Sequence, residues 1–271
     1  MVSFLFWNVA SRANHPLIKA LCNEHQIDIA VLAELDSDPN ALLLDLNLDV
    51  MQLFSETGGV TNRVRIFSRL PRNSVQPRYD SDKISVRRVA PPVGKEVTFV
   101  AVHFPSKLYM SDDEQTLEAV RTMREIEAAE EDAGHTRTIL MGDLNMNPFD
   151  RGVVAADAFH AVMDKRIAQT GSRTVGGVAK SYFYNPMWNF FGNGAQGPPG
   201  TFFRKDSSHI CYFWYLFDQV LLRPDVLGGF SDGDVKMVSR IGKTELLRPN
   251  GRLNNVSDHL PIVPSVDLER I

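Results

Sequence analysis

Short apolar runs separated by polar turns recur along the chain, with two stretches of helical periodicity between them. The runs Phe4–Val9, Ile29–Leu32, Val64–Phe67, Ile84–Val89, Val97–Val102, Thr138–Met141, Gln219–Leu222 and Ile262–Ser265 read as strands. His15–His25 places Leu17, Ile18 and Leu21 at helical spacing. The longer helix is predicted over Asp112–Asp132. Ser111 is placed to cap it, Glu114 completes a capping box, and Gly134 fits a stop. Leu117, Val120, Met123, Arg124 and Ile126 are expected to form its packed stripe. There is no internal repeat. Hairpin-like strand pairs with covering helices imply an α/β or α+β layered fold built on mostly antiparallel sheets.

Residues Ser181–Tyr215 break this rhythm. They carry Tyr182, Phe183, Tyr184, Trp188, Phe190, Phe191, Phe202, Phe203 and the run Tyr212–Tyr215 around an irregular loop, Gly192–Gly200. Long loops in compact domains are functional or disordered. Two readings stand side by side: an aromatic mini-core that holds the loop down, or a substrate-facing wall that stacks a base or covers an apolar group.

Composition narrows the class only a little. The 271 residues are 44% hydrophobic and 23% charged, which is ordinary globular usage. The length permits one large domain or two small ones. A net charge of -4 argues against charge-driven nucleic-acid binding by the whole surface, although a local basic groove survives on an acidic protein. Cys22 and Cys211 form no disulfide framework or zinc motif. Val2–Val9 is apolar but short and lacks a basic flank, so it reads as a strand rather than a secretory leader. No run is long enough to cross a bilayer as a helix, and a cytoplasmic location is expected.

The chemistry concentrates where strands end. After Thr138–Met141 come Gly142, Asp143, Leu144 and Asn145, closed by Pro148. Gly142 is expected to let the chain turn. In extended geometry Asp143 and Asn145 would point the same way, presenting a carboxylate and an amide to one spot. A polar turn after a strand is the plainer reading. Asn8 ends the first strand, as a turn residue or as a group that steadies a metal-ligating carboxylate. Glu34 closes a fully apolar strand, either as a solvated terminus or as an oxygen ligand of the kind that suits Mg²⁺ or Mn²⁺. His103 ends another strand and is followed by Phe104, Pro105, Ser106 and Lys107. Asp218 and the triplet Ser257-Asp258-His259 complete the set. Adjacent Asp258 and His259 must serve different partners, and Asp218 is a candidate to fix the His259 tautomer.

In this order, from Trp7 to Pro261, the segments resemble the endonuclease/exonuclease/phosphatase superfamily; Gly-Asp-x-Asn and Ser-Asp-His are the most specific pieces. The resemblance implies a four-layer sandwich, two packed mixed and mostly antiparallel sheets flanked by helices. It implies one catalytic domain over 1–271, with an aromatic and Gly-rich insertion at about 181–215. It also implies metal-dependent hydrolysis of phosphodiesters with Mg²⁺ or Mn²⁺. Glu34 would be the main metal ligand, with Asn8 beside it and Asp258 as a further metal-side carboxylate. Asp143 would orient or deprotonate water, and Asn145 would hold a phosphate oxygen. His259, with Asp218 behind it, would contact the scissile phosphate or act as general base, and His103 would steady the phosphate or leaving oxygen. Lys107, Asn145 and Trp188 are the expected substrate contacts, though Lys107 reads equally as a solvated lysine. The segments Asn62-Arg63-Val64-Arg65 and Arg87-Arg88 add local positive charge through their arginines, or simply solvate one strand face. A histidine at position 103 favours the deoxyribonuclease, sphingomyelinase and phosphatase types over the abasic-site type. Nucleic acid is therefore the expected substrate. The alternatives are a small or lipid phosphoester, and an inactive scaffold that binds a partner through the aromatic loop.

Overall fold

A computed structural model describes residues 1–12, 15–48, 53–57, 63–192 and 197–271. The first half holds β1 (Val2–Asn8), α1 (His15–Glu24), β2 (Ile29–Ala33), α2 (Pro39–Asn47), β3 (Ser55–Glu56) and β4 (Val64–Ser68). Then come β5 (Val75–Asp80), β6 (Ile84–Val89), β7 (Val97–His103), α3 (Asp112–Ala133) and β8 (Thr138–Asp143). Short elements follow: α4 (Arg151–Val154), β9 (Ala161–Val162), α5 (Lys165–Ala168), β10 (Ser172–Val175), β11 (Val178–Ser181), β12 (Phe183–Tyr184), β13 (Phe202–Phe203) and β14 (Trp214–Tyr215). The chain closes with β15 (Asp218–Leu222), β16 (Val235–Met237), β17 (Arg240–Ile241), β18 (Thr244–Glu245) and β19 (Ile262–Val266).

Among the described residues two large mixed sheets form, ordered β16-β19-β1-β2-β4-β3 and β5-β6-β7-β8-β15-β12-β9. Strand alternation explains how they stack. β1 sends Phe4 and Phe6 between the sheets and Leu5 and Trp7 outward. The outward pair meets Ile18 and Leu21 of α1 and Leu42 and Leu46 of α2. β7 likewise sends Phe99 inward, while Val100 and Val102 pack under Ala119, Met123 and Ile126 of α3. Phe4 and Phe99 stack across the interface at 5.1 Å. The result is the expected order of layers, helix, sheet, sheet, helix.

Every apolar run read as a strand is one, within two residues at its ends. α1 and α3 also form, and α3 carries its capping box and a left-handed Gly134. Its packed stripe differs from the expectation. Leu117 is 60% exposed, and Arg124 faces outward. The buried face instead includes Gln115, Glu118, Thr122 and Glu130 beside Ala119, Met123 and Ile126. Polar residues can occupy it because they find partners: Glu130 takes a two-pronged bond from Arg223 (2.8 and 2.9 Å) and one from the Thr138 hydroxyl.

Gly142 is not a turn residue. It lies inside β8, paired with Val102 of β7, and a Cβ built on it would sit 1.9 Å from the Val102 carbonyl oxygen. Close approach of two backbones, not chain reversal, demands glycine here. Gly142→Ala is expected to cost about 3 kcal/mol or more, read as a lowered Tm or loss of soluble protein; an unchanged Tm would contradict the packing.

The aromatic segment is partly core. Tyr182, Phe183, Tyr184 and Met187 are buried, and Tyr184 pairs with Leu222 in the second sheet. β13 and β14 form a hairpin whose far end exposes Ile210, Tyr212 and Phe213. Asn193–Gln196 of the irregular loop, and Asn62, lie outside the described residues. No helix among the described residues is long and apolar enough to cross a membrane.

Two parallel pairings place the site. β1 runs parallel to β2 with Asn8 opposite Ala33, and β7 runs parallel to β8 with His103 opposite Asp143. Their carboxyl ends therefore lie side by side. β15 is antiparallel to β8 and starts with Asp218 opposite Asp143. β19 is antiparallel to β1, so the segment before it returns to the same rim.

Candidate active site

At that rim a cleft of 540 Å³ is lined by Asn8, Glu34, His103, Asp143, Asn145, Asp258 and His259, together with Arg63, Tyr109, Phe202 and residues of the loop after β7. Segments as far apart as Asn8 and His259 meet there.

Asn8 is the hub. Its amide nitrogen donates to Glu34 Oε1 and to Asp143 Oδ2, each at 3.1 Å, and its Oδ1 accepts from the Ala10 N–H. One buried amide thus fixes two carboxylates against each other. Glu34 follows β2 in a left-handed conformation (φ 53°), which breaks the strand and sets its half-exposed side chain over the cleft. The His103 imidazole, 3.4 Å away, holds the Glu34 carboxyl down at about 2; partial burial opposes this, and the Asn8 amide supports it. Glu34 is therefore ionised at neutral pH. His103 Nε2 also lies 4.0 Å from Asp143 Oδ2, while its buried Nδ1 has no partner among the described residues.

Asp143 is 1% exposed and accepts the Asn145 N–H on Oδ1 at 2.8 Å. Asn145 is not extended. Its φ is 50°, so strand alternation is not what brings it beside Asp143. An Asx-type bond does, and the Asn145 amide donates to the Phe104 carbonyl at 2.9 Å.

His259 Nδ1 bonds Asp218 Oδ2 at 2.8 Å, which leaves Nε2 for the cleft, 3.9 Å from Asp143 Oδ2. Burial works against a charged imidazole, but Asp218, with Asp143 and Asp258 nearby, outweighs it and raises His259 to about 10. Burial also raises the Asp218 carboxyl, so the two groups compete for one proton. The three carboxylates around the imidazole place that proton on His259. A raised value stabilises the fold fully below the ordinary 6.5 and is lost as pH rises through about 10. With a chelator present, the Tm advantage of the wild type over His259→Gln is expected to shrink between those limits. An advantage that grows with pH would contradict the pairing.

Three supports were not legible as such. Ser257 accepts the His259 N–H at 3.0 Å and donates to the Asn8 carbonyl at 2.8 Å, tying the two halves of the site together. Thr201 Oγ1 accepts the Asp218 N–H at 3.2 Å. The Phe202 ring lies 4.8 Å from that of His259. Ser257 sits in the quoted triplet and Phe202 in the aromatic segment, but no local signal announces their partners.

Other predicted residues lie elsewhere. The Lys107 ammonium is held between Asp112 Oδ1 (2.9 Å) and Asp150 Oδ2 (2.8 Å) beside the cleft. Trp188 packs on Phe149 and Phe191 and lines a separate apolar pocket with His160 and Tyr182. Arg65, Arg87 and Arg88 pair with Glu56, Asp80 and Glu96, so their charge is largely spent within the protein.

Hard oxygen donors suited to a divalent cation are present in two arrangements. Asp143, Asp218 and His259 bring ligand atoms within 4.8 Å of one another and could hold an ion. The Asp218–His259 bond occupies Nδ1 and Oδ2, and Asp218 is 0% exposed. Glu34 and Asp258 also line the cleft and offer it carboxyl oxygens, with Glu34 ionised.

The sequence model of the Endonuclease/Exonuclease/phosphatase family matches residues 5–259. A comparison with curated proteins finds no match. Among solved structures, TDP2 of D. rerio complexed with a single strand DNA product is 17% identical and covers 98% of each chain, with a TM-score of 0.55. An AP endonuclease from Archaeoglobus fulgidus is 16% identical and covers 98% of this chain and 100% of its own, with a TM-score of 0.55. A mannosyl-6-phosphatase from Bacteroides thetaiotaomicron is 13% identical over 98% and 100%, with a TM-score of 0.58. At such identities the likeness is one of fold.

Proposed function

Since the chain belongs to the endonuclease/exonuclease/phosphatase family, we propose that this phosphoester hydrolase cleaves phosphodiester bonds in a polynucleotide, with Mg²⁺ or Mn²⁺ held at Glu34 and Asp258. The convergence of Glu34, Asp143 and the Asp218–His259 pair on one cleft carries this reading. Held there, a divalent cation would supply charge neutralisation at the phosphate oxygens and a lowered pKa for a nearby water.

The protein groups supply the rest. Asp143, oriented by Asn8 and by the Asn145 N–H, accepts the proton of the attacking water. His259, kept protonated by Asp218, donates from Nε2 to a phosphate oxygen, and Asp218 holds the ring so that Nδ1 cannot turn to that role. His103 and Asn145 add donors on either side of Asp143. Residues 1–271 act as one catalytic unit in this reading.

A second reading, hydrolysis of a small or lipid phosphoester, draws on the pairing of Arg65, Arg87 and Arg88, which leaves a long polyanion few cations to follow. A cleavage panel with Glu34→Gln as control separates the two. Cleavage of single- or double-stranded DNA or RNA by the wild type alone supports the first. Activity confined to an inositol polyphosphate, sphingomyelin or another small ester overturns it in favour of the second.

A further inference from the structure

Next to the catalytic cleft, across the wall formed by Met110–Ser111 and Asn145–Met146, lies a second groove of 550 Å³. None of the groups assigned to the reaction lines it. Phe149 and Tyr212 form an aromatic corner there, with ring centroids 5.6 Å apart, and they are 38% and 55% exposed. Asp112 and Asp150 lie on the polar side of the groove.

Gln115 lines the groove and is 1% exposed. Its amide nitrogen donates to two carbonyls, those of Pro105 (3.3 Å) and Asn145 (3.1 Å), which fixes the orientation of the amide. The Oε1 atom is left buried without a partner among the described residues. Lys107 bridges Asp112 and Asp150, and Arg151, which also lines the groove, pairs with Asp113 at 3.4 Å, so three carboxylates face two cations. An exposed aromatic corner with carboxylates beside it suits a flat ring that carries an amino group.

We propose that this groove is a nucleobase subsite for the nucleotide next to the cleaved bond. The base stacks on Tyr212 and Phe149, and its amino edge faces Asp112 and Asp150. The inference rests on the polynucleotide reading above. It adds that the substrate is unpaired at this position, because a base within a duplex can neither enter a groove nor present its pairing edge. Adenine, cytosine and guanine carry exocyclic amino groups and are preferred over thymine or uracil.

The test is kcat/KM for single-stranded DNA and RNA oligonucleotides in which each position flanking the cleaved bond is in turn A, C, G, T or U, or an abasic spacer. Wild type, Tyr212→Ala and Tyr212→Phe are compared, with Tm as the folding control. In the wild type, one flanking position is expected to show roughly tenfold faster cleavage with an amino-bearing base than with the spacer. That ratio falls towards one in Tyr212→Ala and returns in Tyr212→Phe. An equal ratio in wild type and Tyr212→Ala overturns the subsite while the nuclease reading stands. Failure of the wild type to cut any polynucleotide overturns both.

Discussion

His259→Ala is expected to lower kcat by about 10²–10⁴-fold in the protein that stays folded at the assay temperature, and to lower Tm as well, because it leaves the buried Asp218 carboxyl without its partner. The reason is positional. Nδ1 is bound to Asp218 at 2.8 Å, so the ring offers the cleft a single nitrogen, and alanine leaves nothing there. Asp218→Asn is the sharper variant, because it keeps the shape and reverses the hydrogen-bonding options. An amide cannot stabilise the imidazolium, so the His259 value should fall from about 10 towards the ordinary 6.5. The pH profile of kcat should then lose its alkaline limb at a lower pH than in the wild type. An Asp218→Asn enzyme with the wild-type profile would show that His259 does not work as a protonated donor.

Glu34→Gln is expected to cost at least as much, and chelation by EDTA should reproduce the loss in the wild type. The Glu34 carboxyl is held down at about 2, so it stays ionised over the whole working pH range. Glutamine keeps a hydrogen-bond acceptor for Asn8 but removes the charge that a divalent cation requires. Mg²⁺ or Mn²⁺ should restore the chelated wild type and leave the variant unrestored. Full activity in EDTA would remove the cation from the account.

Most of the sheet framework could be read from the sequence because both sheets are buried on both faces. Continuous apolar runs such as Ile29–Ala33 and Val97–His103 result, and short runs bounded by polar turns are hard to mistake. α2 was not foreseen: its Leu42, Leu43 and Leu44 form a solid apolar block rather than a stripe. β5, with Pro77 and exposed residues at an edge, lacked an apolar signature. Strand-end carboxylates, amides and imidazoles marked the rim, but period-two reasoning failed at Asn145, where a left-handed backbone and an Asx bond take over. Electrostatic pairing was the least legible feature. Lys107 meets Asp150 and Arg87 meets Asp80 through contacts that only the folded chain creates. The need for glycine at position 142 has no local signal, since the carbonyl that crowds it belongs to a strand about forty residues earlier.

In the proposed reading the strand-end residues form one cation-dependent phosphodiester-cleaving centre. The most direct measurement is the initial rate of bis-p-nitrophenyl phosphate hydrolysis by wild type and Glu34→Gln across a Mg²⁺ titration. A saturable, Mg²⁺-dependent rate is expected in the wild type and a flat, near-background line in the variant. Matching rates and matching Mg²⁺ dependence in the two proteins would contradict it.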